Sequence, residues 1–272
     1  MSVRIASSNL NQTPLDWRGN LNNIRESIKI AKDNSVDVLC LPELSITGYG
    51  CQDLFYHDWF IQKSYNILEE MRLLTKSITV IVGHPLSFNK KRYNSCCIIR
   101  NQKILGFFIK SNLPNDGIHY EKRWFEGWEY GKIDKFNFLN QSYPIGNFQI
   151  EYDNNLTLGF EICRDMWDEE RPANYIKTNK NLIIFNPIAS HYAFKKFNFR
   201  KTLVVESSKK FNCTYLSVNL LGNESGKVIF EGDAILASEG KLISVNDRFS
   251  FKNISFSKYD IDFNSKSDKI NY

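Results

Sequence analysis

The run Val38 to Leu41 is apolar at every position, so a strand built from it must be covered on both faces. That requirement repeats along the chain, in ITVIVG at 78–83, Leu156 to Phe160, and NLIIFN at 181–186. Between such runs the spacing turns helical. Leu21, Ile24, Ile28 and Ala31 share one face, as do Phe60, Ile67, Leu68, Met71 and Leu74. VRIASSNL opens the chain as a strand, and YNSCCIIR and KILGFFIK form an antiparallel hairpin around Asn101 and Gln102. A short helix is expected around Ala173 to Lys177, a longer one through Thr202 to Lys209, then a strand at TYLSV and a hairpin turning at Glu239-Gly240. Helices alternating with buried strands and hairpins predict a layered α/β architecture with a mixed sheet. With 272 residues, 42% of them hydrophobic, the chain can close one large core.

Three apolar runs end on groups with chemistry: VDVLCLPE delivers Glu43, ILGFFIK delivers Lys110, and LGFEIC delivers Cys163. A carboxylate, an ammonium and a thiol at the mouths of core strands are what thiol-dependent amide hydrolysis needs. A free thiol near pKa ~8.5 must be driven toward thiolate by a base and a neighbouring cation. Each residue alone has a plainer reading. Cys packs as a small hydrophobe, which is how Cys40, Cys96, Cys97 and Cys213 read; Glu43 can cap a helix and Lys110 can be solvated. Together, in this order, they are harder to explain as packing.

Other function classes find little support. The net charge is +5, but the basic residues are dispersed; the densest group, Lys195, Lys196, Arg200 and Lys201, reads as the solvated face of a helix, not a nucleic-acid footprint. No eighteen-residue apolar stretch exists, and the chain starts on a strand pattern instead of a signal core, so a cytoplasmic protein is expected. Six scattered cysteines lack CxxC spacing, and His57, His84, His119 and His191 form no ligand pair at helical or finger spacing, so neither a metal nor another cofactor is expected.

These residues stand in motifs, from VRIASSNLNQ through LPELSITGYGCQDLF, KSNLPNDGIHYEKRWF, GFEICRDMW and NPIAS to VNLLGNESGKVIFEGDAILASEGKL, that resemble the nitrilase superfamily. Within it, ITGYGCQDL and KSNLPNDGIHYEKRWF are most similar to the glutaminase domain of glutamine-dependent NAD synthetases. The resemblance implies a nitrilase-type αββα sandwich, with two mixed sheets between helical layers, over 1–262, and a polar tail or truncated linker over 263–272. It implies that Glu43 is the general base and Cys163 the nucleophile. Lys110 would stabilise the oxyanion, and Glu121 would orient Lys110 and water; the alternative for Glu121 is a surface pair with Lys122 or Arg123. Tyr49, Trp167 and Ser190 match substrate-pocket positions. It further implies glutamine as substrate, an ammonia-accepting NAD synthetase as partner, and a homo-oligomer.

The chain departs from the family at three places. Asp116 replaces the tyrosine of the LPNYG segment beside the substrate, and His191 replaces the proline after Ser190. No SGGxDS-like pyrophosphate loop follows, so the synthetase would be a separate protein or a missing domain. A free-standing hydrolase of another small amide is the alternative, and a non-catalytic scaffold a more distant one.

Overall fold

The computed structural model describes residues 2–224 and 227–263. The first of two large sheets has the order Ile254–Asp262, Ser2–Leu10, Val38–Cys40, Thr79–Phe88, Lys91–Arg100, Lys103–Ile109, Gln141–Gly146, Ile133–Phe138. The second runs Ile150–Glu151, Leu156–Phe160, Asn181–Ile188, Thr214–Asn219, Ala234–Ser238, Lys241–Val245. Both mix parallel with antiparallel neighbours. The expected hairpin at Asn101-Gln102 joins Lys91–Arg100 to Lys103–Ile109, and the one at Glu239-Gly240 is also present.

The apolar runs are explained by what lies on each side of them. Val38, Cys40, Ile81, Ile98 and Phe108 point into the space between the sheets, where they meet Phe160, Ile183, Phe185 and Leu216 of the second sheet. Their sequence neighbours Leu39, Leu41, Val80, Val82 and Phe107 point the other way, onto helices α1 (Trp17–Asp33) and α2 (Asp58–Arg72). Ile184, Tyr215 and Ile235, on the outer face of the second sheet, pack against Val204 of α3 (Lys196–Lys210). The layers are therefore helix, sheet, sheet, helix, the expected αββα sandwich. Each buried aliphatic side chain contributes about 1.5–3 kcal/mol, and a strand between two layers collects it at consecutive positions.

Several details differ from expectation. Helix α3 starts at Lys196, a turn and a half before Thr202, and its basic residues are not uniformly solvated. Arg200 is fully buried, because Glu231 and Asp233, on the segment leading into Ala234–Ser238, neutralise its guanidinium. The helix expected at 173–177 is a 3-10 turn, Pro172–Tyr175. Helix α2 ends at Arg72, so Leu74 packs from the following turn. Of the expected tail, residues 264–272 lie outside the described residues.

His84 gives a stability prediction. It is fully buried, with Nδ1 3.0 Å from the Pro85 carbonyl, and burial pushes its imidazole down to about 4. An unfolded histidine titrates near ~6.5, so between those values the unfolded chain binds more protons than the native one. Stability contributed by neutral His84 is therefore present above pH ~6.5 and is lost as pH falls toward 4, by on the order of 3 kcal/mol. Urea midpoints at pH 7 and pH 5 should differ less in His84→Leu than in the wild type; equal pH dependence in both would refute the assignment.

Candidate active site

Lys110 follows the strand Lys103–Ile109 and is fully buried between the sheets and loops, not solvated. Its Nζ donates to Glu43 Oε1 at 2.6 Å and to both oxygens of Glu121 at 2.8 Å. Glu121, on the 3-10 turn Glu121–Arg123, is 1% exposed, which removes the surface pair with Lys122 or Arg123. Burial alone would lower the lysine, but Glu121 and Glu43 outweigh it and hold the ammonium above its ordinary range. Burial likewise raises Glu121 against the pull of Lys110.

Glu43 leaves the end of Val38–Cys40 through Leu41 and Pro42, and Leu44 turns back with φ +49°. Gly83 lies directly beneath: a Cβ there would come 2.3 Å from the Leu44 nitrogen and 2.6 Å from the Pro42 carbonyl oxygen. The close approach of the two chains at Glu43 thus requires glycine at 83. Glu43 Oε1 also accepts from Asn94 Nδ2 at 2.7 Å, whereas Oε2 is buried and has no partner among the described residues. One oxygen is locked in place and the other is free to take a proton.

Cys163 adopts φ +49° where the strand Leu156–Phe160 gives way to the 3-10 turn Cys163–Trp167. A left-handed non-glycine residue costs of order 1–3 kcal/mol and persists only when its surroundings hold it. Here Cys163 N donates to Asn186 Oδ1 at 2.7 Å, and Ile162 N to Asp165 Oδ2 at 2.9 Å. Asp165 Oδ1 accepts from the backbone of Ser111 at 3.1 Å and Asn112 at 2.7 Å, so one carboxylate ties the thiol turn to the segment just after Lys110. Burial pushes the Cys163 thiol up to about 12, with Glu43 adding to it and Lys110 opposing. At neutral pH the resting group is SH beside a carboxylate.

Of the other expected residues, Tyr49 bonds this centre directly. Tyr49 donates its hydroxyl to Glu121 Oε1 at 2.6 Å, so it braces that carboxylate. Ser190 N donates to Asn219 Oδ1 at 2.9 Å, and its hydroxyl oxygen accepts from Arg200 at 3.2 Å. Trp167 stacks on Phe199 with 5.4 Å between ring centroids. Asp116 is at the rim, 75% exposed, 3.6 Å from Arg164 Nη1. Sequence reading passed over Asn94, Asp165 and Asn186, although a lone amide inside YNSCCIIR or NLIIFN was a visible signal. It had no means of finding His119 against His191, which come from segments 72 residues apart. Among the described residues, no three His, Cys, Asp or Glu side chains form a metal-type cluster, and no helix is long and apolar enough to cross a membrane.

The sequence pattern of the carbon-nitrogen hydrolases matches residues 4–264, nearly the whole chain. The chain belongs to the carbon-nitrogen hydrolase family. The human glutamine-dependent NAD(+) synthetase is similar to this hydrolase at 31% identity over 264 residues, which take in 93% of this chain and 37% of the synthetase. The crystal structure of a glutamine-dependent NAD(+) synthetase from Cytophaga hutchinsonii matches it with a TM-score of 0.89 and 40% identity, over 96% of this chain and 43% of that one. An amidase from Nesterenkonia sp. shares the fold, with a TM-score of 0.74 at 16% identity over 95% of this chain and 90% of the amidase. This hydrolase therefore spans less than half the length of the synthetases it matches, and it is homologous to their glutaminase part.

Proposed function

We propose that this hydrolase releases ammonia from a small primary amide, with glutamine as the leading substrate, for amidation of deamido-NAD by a synthetase. The observation that carries the reading is Glu43, with Oε1 fixed by Lys110 and Asn94 and Oε2 buried and unbonded among the described residues, in the electrostatic reach of the Cys163 thiol. Glu43 takes the thiol proton as sulfur bonds to the amide carbon. Because the thiol lies far above neutrality at rest, that transfer accompanies attack instead of preceding it. The Lys110 ammonium, with the Arg164 backbone N–H, faces the charge developing on the carbonyl oxygen. Glu43 returns the proton to the departing nitrogen, ammonia leaves, and a thioester remains on Cys163. A water deprotonated by Glu43 then attacks the thioester, and the thiolate departs and is reprotonated. Ammonia release measured with glutamine, asparagine and other ω-amides, with and without an ammonia-dependent NAD synthetase, tests the reading; no release from any of them would end it.

A second reading, hydrolysis of a different amide, is favoured by the ion pair of Asp116 with Arg164 at the rim. Under the glutaminase reading, Asp116→Tyr preserves or raises kcat/KM for glutamine, since it restores the side chain of the resembling domains. If Asp116 instead holds a cationic group of another amide, the same change removes roughly 2–5 kcal/mol once that substrate desolvates the pair. A kcat/KM panel on both proteins separates the two, and glutamine ranking last in both would discard the glutaminase reading.

A further inference from the structure

A continuous line of hydrogen bonds runs from the buried charges to the edge of the molecule. Glu121 Oε1 accepts from the Tyr49 hydroxyl at 2.6 Å, and that hydroxyl lies 3.0 Å from His119 Nδ1. The opposite ring nitrogen, His119 Nε2, is 2.7 Å from His191 Nδ1, which in turn meets Lys196 Nζ at 3.0 Å. Its inner end is 1% exposed at Glu121, whereas His191 and Lys196 are only half-buried. His119 engages a partner through each ring nitrogen, the geometry that lets an imidazole accept on one side while it donates on the other.

Hydrolysis of a primary amide supplies a reason for such a line. The amide and water yield a carboxylic acid and NH3, and at neutral pH the acid ionises, leaving one proton in a closed site. If that proton meets the ammonia, the product is ammonium, which has no lone pair for a second reaction. Resting on the amidase reading above, we infer that Tyr49, His119, His191 and Lys196 form a proton relay that carries this proton from the Glu43, Lys110 and Glu121 cluster to solvent.

The hops balance. Glu43, having reprotonated the Cys163 thiolate, takes the proton of the product acid and passes it to Lys110 as Lys110 passes one to Glu121. Protonated Glu121 gives it to the Tyr49 oxygen while the Tyr49 hydrogen moves to His119 Nδ1. His119 then gives its Nε2 hydrogen to His191 Nδ1, which passes it to Lys196 Nζ once that ammonium has released one of its own hydrogens to water. Burial, then His191, Lys196, Lys110 and Arg164, holds His119 down to about 3, and burial, then Lys196 and Arg200, opposed by Asp116, holds His191 down to about 4, so neither ring retains the proton.

The test uses His119→Gln and His191→Gln, which keep a polar group but have no ring nitrogen to take up and release a proton, and Tyr49→Phe as an independent break in the line. At low buffer concentration, steady-state ammonia release from the preferred amide is expected to fall ~10-fold or more, with KM falling in step so that kcat/KM changes little. A pre-steady-state burst of one equivalent of ammonia should persist, because acylation returns its proton to the leaving nitrogen and exports none. Added imidazole should restore turnover in the two histidine variants. Wild-type kcat in all three variants would overturn the relay, as would a loss that imidazole leaves unchanged or one that removes the burst as well. A wild-type protein that releases no ammonia from any amide would instead overturn the amidase reading itself.

Discussion

Cys163→Ala is expected to fold normally and to lose amide turnover by ~10⁴-fold or more, since no other group near the substrate can form the thioester. Removing one sulfur leaves a small cavity, with an expected stability change of about 1 kcal/mol. The φ of +49° should survive, because it is held by hydrogen bonds of the Cys163 backbone N–H to Asn186 and of the Ile162 backbone N–H to Asp165, neither of which uses the sulfur as donor or acceptor. Cys40→Ala, in the core between the sheets, should leave kcat nearly unchanged. Mass spectrometry after reaction with an electrophilic amide should find the label on Cys163 and none on the other buried thiols. Substantial turnover by a folded Cys163→Ala protein would refute the mechanism.

Lys110→Met carries the second large effect, and it acts on stability as well as on rate. Two carboxylates, Glu43 and Glu121, would share a buried site without their cation, which is expected to cost about 3–5 kcal/mol unless one of them takes up a proton. Stability of the variant should therefore recover as pH is lowered toward the raised range of Glu121, and the wild type, where Lys110 opposes that rise, should gain less over the same range. Glu43→Gln and Glu121→Gln remove one charge each and should lower kcat by ~100-fold or more while destabilising less. Double variants should fall well short of the product of the single losses, because all three groups act on the same transition state. Denaturant midpoints and kcat for the three single and two double variants provide the check, and full multiplicativity would indicate independent sites.

How far the site was legible depended on the kind of signal. Glu43, Lys110 and Cys163 stood out because each is an ionisable group at the end of an apolar run, where burial has to serve a purpose. Glu121 was reached through resemblance, and its surface alternative fell only when the fold put it 2.8 Å from Lys110. Arg200 was read as solvated because helical spacing reports which residues share a face, not which acids another segment brings to that face. The Ser190 backbone, Asn219 and Asp233 form one network from three separate strands or loops, and nothing local links them.

By itself the sequence determined the layered α/β class, since a strand apolar at every position must be covered on both sides, and it determined which residue types close each strand. Tertiary structure alone decided that the layers are two facing sheets, because alternation tells a strand that it has two faces and not whether a helix or another sheet covers each. It also decided that Tyr49 bonds Glu121 and that His119 meets His191, contacts between segments 72 residues apart in the chain. Hydrogen bonds at such separations follow from where whole strands settle, and that is fixed by the cooperative packing of the core instead of by any short stretch of residues.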